Sequence, residues 1–259
     1  MKIFKFYYYI LQKKYKKINM PGRLSIYDDK AFKIDASSLI QNDMIQELNP
    51  RYNIPPTTPI PALLNNGNYL YTHFGYLPSW ASSKASMNIN ARSESIYEKK
   101  TFRDSFKYRR CIIPINSFYE WEKDDKEKTP YLVSDIKNDY LALAGIWDEY
   151  FDKQLNMKIV TIALITCDAN EKLGKIHHRM PVVLEKKDFA TWLKSDDIKE
   201  VNSLFKIYPN EKIDIYEVTN EVNKVLFDEV ICIKKVSRKL TEKKRREKRN
   251  RSIIFVLKL

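Results

Sequence analysis

The chain has 259 residues, 44% hydrophobic and 13% aromatic, enough apolar mass for one sizeable core. Only 5 glycines argue against glycine-rich phosphate loops, and no run reaches the ~18 apolar residues that a membrane span requires. The net charge of +13 belongs to the ends: residues 1–20 carry +6 and residues 234–259 carry +10, which leaves −3 for residues 21–233.

Global basicity therefore does not define the central region. The basic ends have two readings, as phosphate-seeking arms whose affinity falls with salt or as solvated tails. Cys111, Cys167 and Cys232 lie far apart with no C-x-x-C pair, which points to a reducing compartment. His73, His177 and His178 lack cysteines at ligand spacing, so no metal or other cofactor is expected. The apolar run from Phe4 to Leu11 is short, with no small-residue cleavage site, and does not read as a secretory signal. The expected location is the cytoplasm, at the nucleoid in a bacterium, or the nucleus in a eukaryote.

Residues 1–19 read as a basic extension, and Met20 is a second candidate start. Ser37 to Leu48 has apolar residues at the spacing of a helix face. The prolines at 50, 55, 56 and 59 predict an extended, rigid loop, because proline fixes its own φ and restrains its predecessor. Short runs rich in β-branched and aromatic residues then predict strands over Tyr69–Tyr76, Cys111–Trp121, Pro130–Val133, Leu141–Trp147 and Ile159–Thr166. Asn65-Asn66-Gly67-Asn68 predicts a hairpin turn, and the charged stretch Lys123–Lys128 an exposed connection. Helices are expected after Asp188 and from Asp196 to Phe205, with closing strands at Ile213–Val218 and Glu229–Ile233. Residues 237–259 form a basic tail, disordered or helical. The balance is α+β: a single domain over residues 20–236, with a mixed, barrel-like sheet of short strands and flanking helices.

Three polar segments interrupt the apolar pattern. In Asn88–Glu94, alternation along an extended chain would put Asn90, Arg92 and Glu94 on one side, as amide donor, phosphate fork and carboxylate. An exposed polar strand face is the competing reading. In Phe118-Tyr119-Glu120-Trp121, Glu120 stands among aromatics, where burial would raise its pKa and suit it to proton transfer, and Trp121 could stack on a base. The alternative is a core strand whose Glu pairs with an Arg. In Ile176–Pro181, His177 can carry a proton near neutrality while Arg179 grips a phosphate.

Taken in order, these segments resemble the SOS-response-associated peptidase family, whose members bind abasic sites in single-stranded DNA. The resemblance rests on Met20-Pro21-Gly22-Arg23, Arg51–Pro56, Phe74–Trp80, Asn90–Glu94, Arg109–Trp121, His177–Pro181, and Tyr216–Val218 with Val222-Asn223. It covers roughly residues 20–236. It implies a DNA-damage protein that acts as a monomer, with single-stranded DNA containing abasic sites as its partner. In the family a processed N-terminal Cys closes a thiazolidine on the ring-opened sugar, assisted by side chains that map onto Asn90, Glu120 and His177. The family's DNA contacts map onto Gly22, Arg23, Pro56, Trp80, Arg92, Lys100, Trp121 and Arg179.

The sequence departs from that pattern at the nucleophile, where Pro21 follows Met20 in place of Cys. Without a thiol there, neither a thiazolidine nor thiol-dependent peptidase chemistry is available. Two expectations follow. If the mature chain begins at Pro21, its secondary amine can condense with the aldehyde to an iminium, and Glu120 or His177 can drive β-elimination. If Pro21 is internal, its nitrogen is an amide and the domain is a non-catalytic binder of damaged strands. A general nucleic-acid module acting through its tails, blind to abasic sites, and a thiol protease using Cys111 or Cys167 are further classes to be separated.

Overall fold

The computed structural model describes residues 22–82, 85–123 and 128–236. Pro21, the basic extension and the basic tail lie outside the described residues, as do the centre of the Lys123–Lys128 connection and Lys84.

Among the described residues, fourteen strands and five short α-helices follow in chain order. The strands are β1 (Leu24–Ile26), β2 (Asn42–Asp43), β3 (Arg51–Ile54), β4 (Pro59–Leu64), β5 (Asn68–Phe74), β6 (Asn90–Arg92) and β7 (Arg110–Ile115). Then come β8 (Ser117–Lys123), β9 (Lys128–Asp135), β10 (Leu141–Asp152), β11 (Met157–Asp168), β12 (Arg179–Pro181), β13 (Val183–Leu184) and β14 (Ile213–Glu217). The helices are α1 (Lys30–Asp35), α2 (Arg103–Tyr108), α3 (Glu171–Gly174), α4 (Phe189–Lys194) and α5 (Ile198–Asn202).

Strands β11, β10, β7, β4 and β5 pair in that order, and β5 returns to β11 in parallel through Thr161↔His73 and Ile162↔Phe74. The sheet therefore closes on itself as a five-stranded barrel and leaves no free edge within the ring. Both faces of the ring are covered: Ile112, Ile113, Leu143, Ala144, Ile146, Ile162 and Leu164, which alternate between its two sides, are all fully buried. At about 1.5–3 kcal/mol per large buried side chain, this burial is the main source of stability. Gly145 is required where β10 crosses β7, since a Cβ there would stand 2.3 Å from Ile113 Cδ1. Gly67, with φ +85°, turns β4 into β5 as the Asn-Gly pattern predicts.

A second, antiparallel sheet runs β14-β9-β8-β1-β3. Alternation along β8 divides its side chains between two cores. Phe118 joins the large barrel core, whereas Tyr119 and Trp121 join a smaller cluster with Leu132, Val218, Val222 and Cys232.

Several expectations need correction. Residues 37–48 are not one helix: the helix is α1, upstream, and β2 lies within the predicted span. Lys33, in α1, ties the two pieces together through Asp29 and Asp43. The run Cys111–Trp121 is two strands, broken at Asn116, whose amide side chain receives Tyr27 N–H and Asp28 N–H and donates to Asp28 O and Asp139 O. Arg51–Ile54 is a strand and not a loop, with the rigid turn confined to Pro55–Thr58. Glu229–Ile233 is not a strand either, because residues 230–233 form a 3-10 turn. Its buried Cys232 packs on the smaller cluster, and extended pairing begins only at Lys235, which bridges to Val218 just past β14. Among the described residues no helix is long and apolar enough to cross a membrane.

Candidate functional site

The site forms where the end of β11 meets β8. Strand β6 pairs with β11 through Leu164↔Asn90 and Thr166↔Arg92. On the opposite edge of the same strand end, β12 pairs through Thr166↔Pro181 and Asp168↔Arg179. Two segments some ninety positions apart in the chain are thus brought to either side of one strand.

Glu120 is completely buried, on the same side of β8 as the core residue Phe118. His177 reaches it from the loop between α3 and β12, where Nδ1 stands 3.7 Å from Glu120 Oε1. That loop is anchored at both ends. Asn170 caps α3 by accepting from Leu173 N–H at 2.8 Å, and His177 N–H donates to Leu173 O at 2.9 Å. The main chain of Arg179 meets Nδ1 with both its N–H and its carbonyl at 3.2 Å. A neutral ring can accept from the first and a protonated ring can donate to the second, so either proton state is accommodated. A buried carboxylate facing such an imidazole is an arrangement able to take up, hold and return a proton. The His178 ring, exposed, stacks on His177 at 4.7 Å.

Arg179 is nearly buried, and its fork is already occupied. Its two terminal nitrogens donate to both Glu94 oxygens at 2.9 Å, and to Asp168 Oδ1 at 2.7 Å and Thr166 O at 2.6 Å. Burial alone would raise the Glu94 carboxyl, but this bidentate pair holds it below the ordinary carboxylate value. The expected one-sided row of Asn90, Arg92 and Glu94 ends at Arg92, because residues 93–95 turn into a 3-10 helix. That turn is what lets Glu94 fold back onto Arg179. Arg92 stays exposed.

The start of the described chain is built against the same strand as Glu120. Strand β1 pairs with β8 through Leu24↔Phe118 and Ser25↔Ser117, and Tyr119 N–H donates to Arg23 O at 3.0 Å. One more step in that register sets Gly22, which is buried, opposite Glu120. Arg23 does not reach outward. Its Nη1 donates to Asn53 Oδ1 at 2.7 Å and Val222 O at 2.9 Å, and its guanidinium lies 5.7 Å from the Trp121 ring centroid. Trp121 is enclosed as well, on the opposite side of β8 from Glu120, with Nε1 donating to Asn223 Oδ1 at 2.7 Å.

Pro56 is buried in the turn after β3, next to Thr57, a β-branched residue held at φ +68°. Such a conformation is costly and persists only where its surroundings enforce it. Thr57 N–H donates to Phe74 O at 2.7 Å, and Thr58 Oγ1 to Pro55 O at 2.6 Å. Trp80 is 59% exposed and forms a separate pair with Lys100, whose Nζ is 5.6 Å from the ring centroid.

Sequence reasoning assigned no role to Asn53, Asp168, Asn223 or Asp228. Asn53 Nδ2 donates to the carbonyls of Val222, Lys224 and Phe227, and Asp228 accepts from Tyr52 N–H, Asn53 N–H and the Arg51 side chain. The Arg51-Tyr52-Asn53 motif was visible, but its partners lie about 170 positions downstream. Cys111, Cys167 and Cys232 are all buried, and burial pushes the Cys167 thiol up to about 11. Such thiols are poor nucleophiles near neutrality. Among the described residues no three His, Cys, Asp or Glu side chains converge as metal ligands would.

The SOS response associated peptidase (SRAP) family profile matches residues 20–225. The chain belongs to the SRAP family. Abasic site processing protein YoqW of Bacillus subtilis is 32% identical over 212 residues, 79% of this chain and 94% of that protein. YoaM of the same organism, also an abasic site processing protein, is 34% identical, over 79% and 93%. Abasic site processing protein HMCES of Xenopus tropicalis is 26% identical, over 67% of this chain and 62% of that protein. A solved structure from Bacteroides thetaiotaomicron superposes with a TM-score of 0.74 at 26% identity, covering 83% of this chain and 100% of that one. The SRAP match takes in Asn90, Glu120, His177 and Arg179, and also Asn53 and Asn223, which hold Arg23 and Trp121 in place.

Proposed function

We propose that this SRAP domain processes abasic sites in single-stranded DNA, with the lesion held over the Glu120–His177 pair. The observation that carries the reading is the β1–β8 register, which sets Gly22 opposite Glu120 on the strand that faces His177. The abasic-site processing by which its relatives are known supports it.

The reaction depends on the state of Pro21. With Pro21 as mature N-terminus, its secondary amine adds to the sugar aldehyde. The C–N bond forms, water leaves, and the positive iminium acidifies the adjacent sugar C–H. Glu120 or His177 removes that proton, and the electron pair expels the 3′ phosphate, cleaving the strand. Asn90 would orient the sugar, while Gly22, Arg92 and Lys100 would lie along the strand.

Incubating Pro21-initiated protein with abasic single-stranded DNA and borohydride should trap a covalent adduct. No adduct, with abasic DNA still bound in preference to intact DNA, would leave a non-catalytic lesion binder. That second reading is favoured by the absence of Cys at position 21 and the burial of all three thiols. Equal binding of abasic and intact strands would overturn both.

A further inference from the structure

A cleft of about 440 Å³ opens at the far end of β10 and β11, away from Glu120, lined by the aromatics Trp147 and Phe151, the ion pairs Arg109–Asp148 and Lys158–Glu149, and Ser79. We propose that this cleft is a nucleobase-docking subsite for the single strand that continues outward from the lesion site. The proposal rests on the abasic-site reading above and extends it to an intact nucleotide several positions away.

Four observations carry it. The first is chemical. Phe151 is 47% exposed and Trp147 partly so, so that two aromatic side chains border one opening. Trp147 is oriented by Nε1 donating to Asn65 Oδ1 at 3.0 Å, and the β10–β11 pairing sets Lys158 directly across the ladder from Phe151. Aromatic faces next to cations are how single-strand binders take bases without reading their sequence.

The second is rigidity. Buried Asp148 accepts from Ser79 N–H at 2.9 Å and pairs with Arg109 Nε at 3.2 Å, while Ser105 Oγ accepts from the same guanidinium at 3.0 Å. The Arg109 plane is thereby fixed as part of the floor, and a fixed guanidinium is itself a stacking surface.

The third is charge. The segment joining the Trp80–Lys100 pair to Arg109 presents Lys99, Lys100, Arg103 and Lys107 to solvent against two acids, Glu98 and Asp104. A polyanion fits such a bank, whereas an apolar peptide would leave those charges without partners. The opposite wall adds the exposed Lys158, whose Nζ lies 2.9 Å from Glu149.

The fourth is continuity. Ser79 lines the cleft and Trp80, its neighbour in sequence, is exposed beside it. Thr161 Oγ1 donates to Leu77 O at 3.0 Å and so ties this segment to β11. Along β11, six residues separate Leu164, the partner of Asn90, from Lys158, a path of roughly 20 Å at about 3.3 Å per residue. A strand a few nucleotides long bridges that distance and passes Trp80 on the way.

The test compares two abasic-analogue strands, of about 5 and about 15 nucleotides, by fluorescence anisotropy on the wild-type protein, Phe151→Ala and Lys158→Glu. Wild type should bind the longer strand more tightly. Phe151→Ala should weaken the longer strand about tenfold and leave the shorter one unchanged. Lys158→Glu should lower the affinity for the longer strand and flatten its salt dependence. A 2-aminopurine stepped along the longer strand should be quenched at one position in wild type and recover in Phe151→Ala. If both variants bind the longer strand as wild type does, with no position quenched, the subsite is refuted while the abasic reading stands. If wild type does not prefer abasic over intact strands, the abasic reading itself fails.

Discussion

The two cores of this domain are held together in different ways. The large core is built on a sheet closed on itself and is sealed by apolar side chains such as Phe32, Phe106, Phe189 and Trp192 from the short helices. The smaller cluster around Tyr119, Trp121 and Leu132 is covered by the chain from Val218 to Ile233. That cover is tied down by directed bonds from Asn53, Asp228, Arg23 and Trp121. The barrel supplies stability and the second layer supplies placement. Burial is non-directional and tolerates small shifts, whereas hydrogen bonds fix Arg23, and with it Gly22, in one position along β8.

The contrast can be broken most strongly from the barrel side. Leu143→Ala removes a fully buried side chain between Ile113 and Val183 and should cost about 2–5 kcal/mol in denaturant unfolding. DNA binding by the fraction still folded should be unchanged; a selective loss of binding would show that the barrel also places the site.

Acid is a comparable lever on the same core. Burial of His73 depresses its pKa to about 4, against a small opposing pull from Asp152. The unfolded chain takes up that proton near pH 6.5 and the folded chain does not until about pH 4. Stability from this group is therefore complete above pH 6.5 and lost as pH falls toward 4, by about 3 kcal/mol. Unfolding followed across that window should show the slope, and His73→Phe should flatten it.

Asp228→Ala acts on the second layer and should cost about 1–3 kcal/mol, because the Tyr52 and Asn53 N–H groups lose their acceptor. Its signature is local: hydrogen exchange at Tyr119 N–H, bonded to Arg23 O, should accelerate more than exchange within β10. Uniform acceleration across both layers would erase the distinction drawn here. The smallest effect on stability, within about 0.5 kcal/mol, is expected for Trp80→Ala, since that ring is mostly exposed. Its single-strand affinity should nevertheless fall by about 1–3 kcal/mol, read by anisotropy at fixed salt.

Strand β5, the stretches Leu141–Trp147 of β10 and Ile159–Thr166 of β11, and the turn at Gly67 were legible from local pattern, because β-branched runs and an Asn-Gly turn act over a few residues; that β10 runs on to Asp152 and pairs with β11 as a hairpin was not. The predicted helix over residues 37–48 was not found, since pairing with β5 outweighs a local helical spacing at Asn42–Asp43. The side-chain partners were harder to read. Arg23, Trp121 and Arg179 all carry groups suited to DNA, and each is occupied inside the protein by Asn53, Asn223 or Glu94. Nothing local marks those partners, because they come from β3 and from two 3-10 turns that only the tertiary fold brings alongside.

By itself, the sequence determined the α+β class, the order of the polar segments, the replacement of a thiol by Pro21 and the confinement of positive charge to the ends. Composition and short-range pattern are enough for those. The tertiary structure alone decided that Glu120 faces the core while Trp121 faces away, that His177 stands 3.7 Å from Glu120, and that Arg179 is neutralised by two carboxylates. The physical reason is that pleat direction and register assign each side chain to a face, and register is set by pairings between residues far apart in the chain.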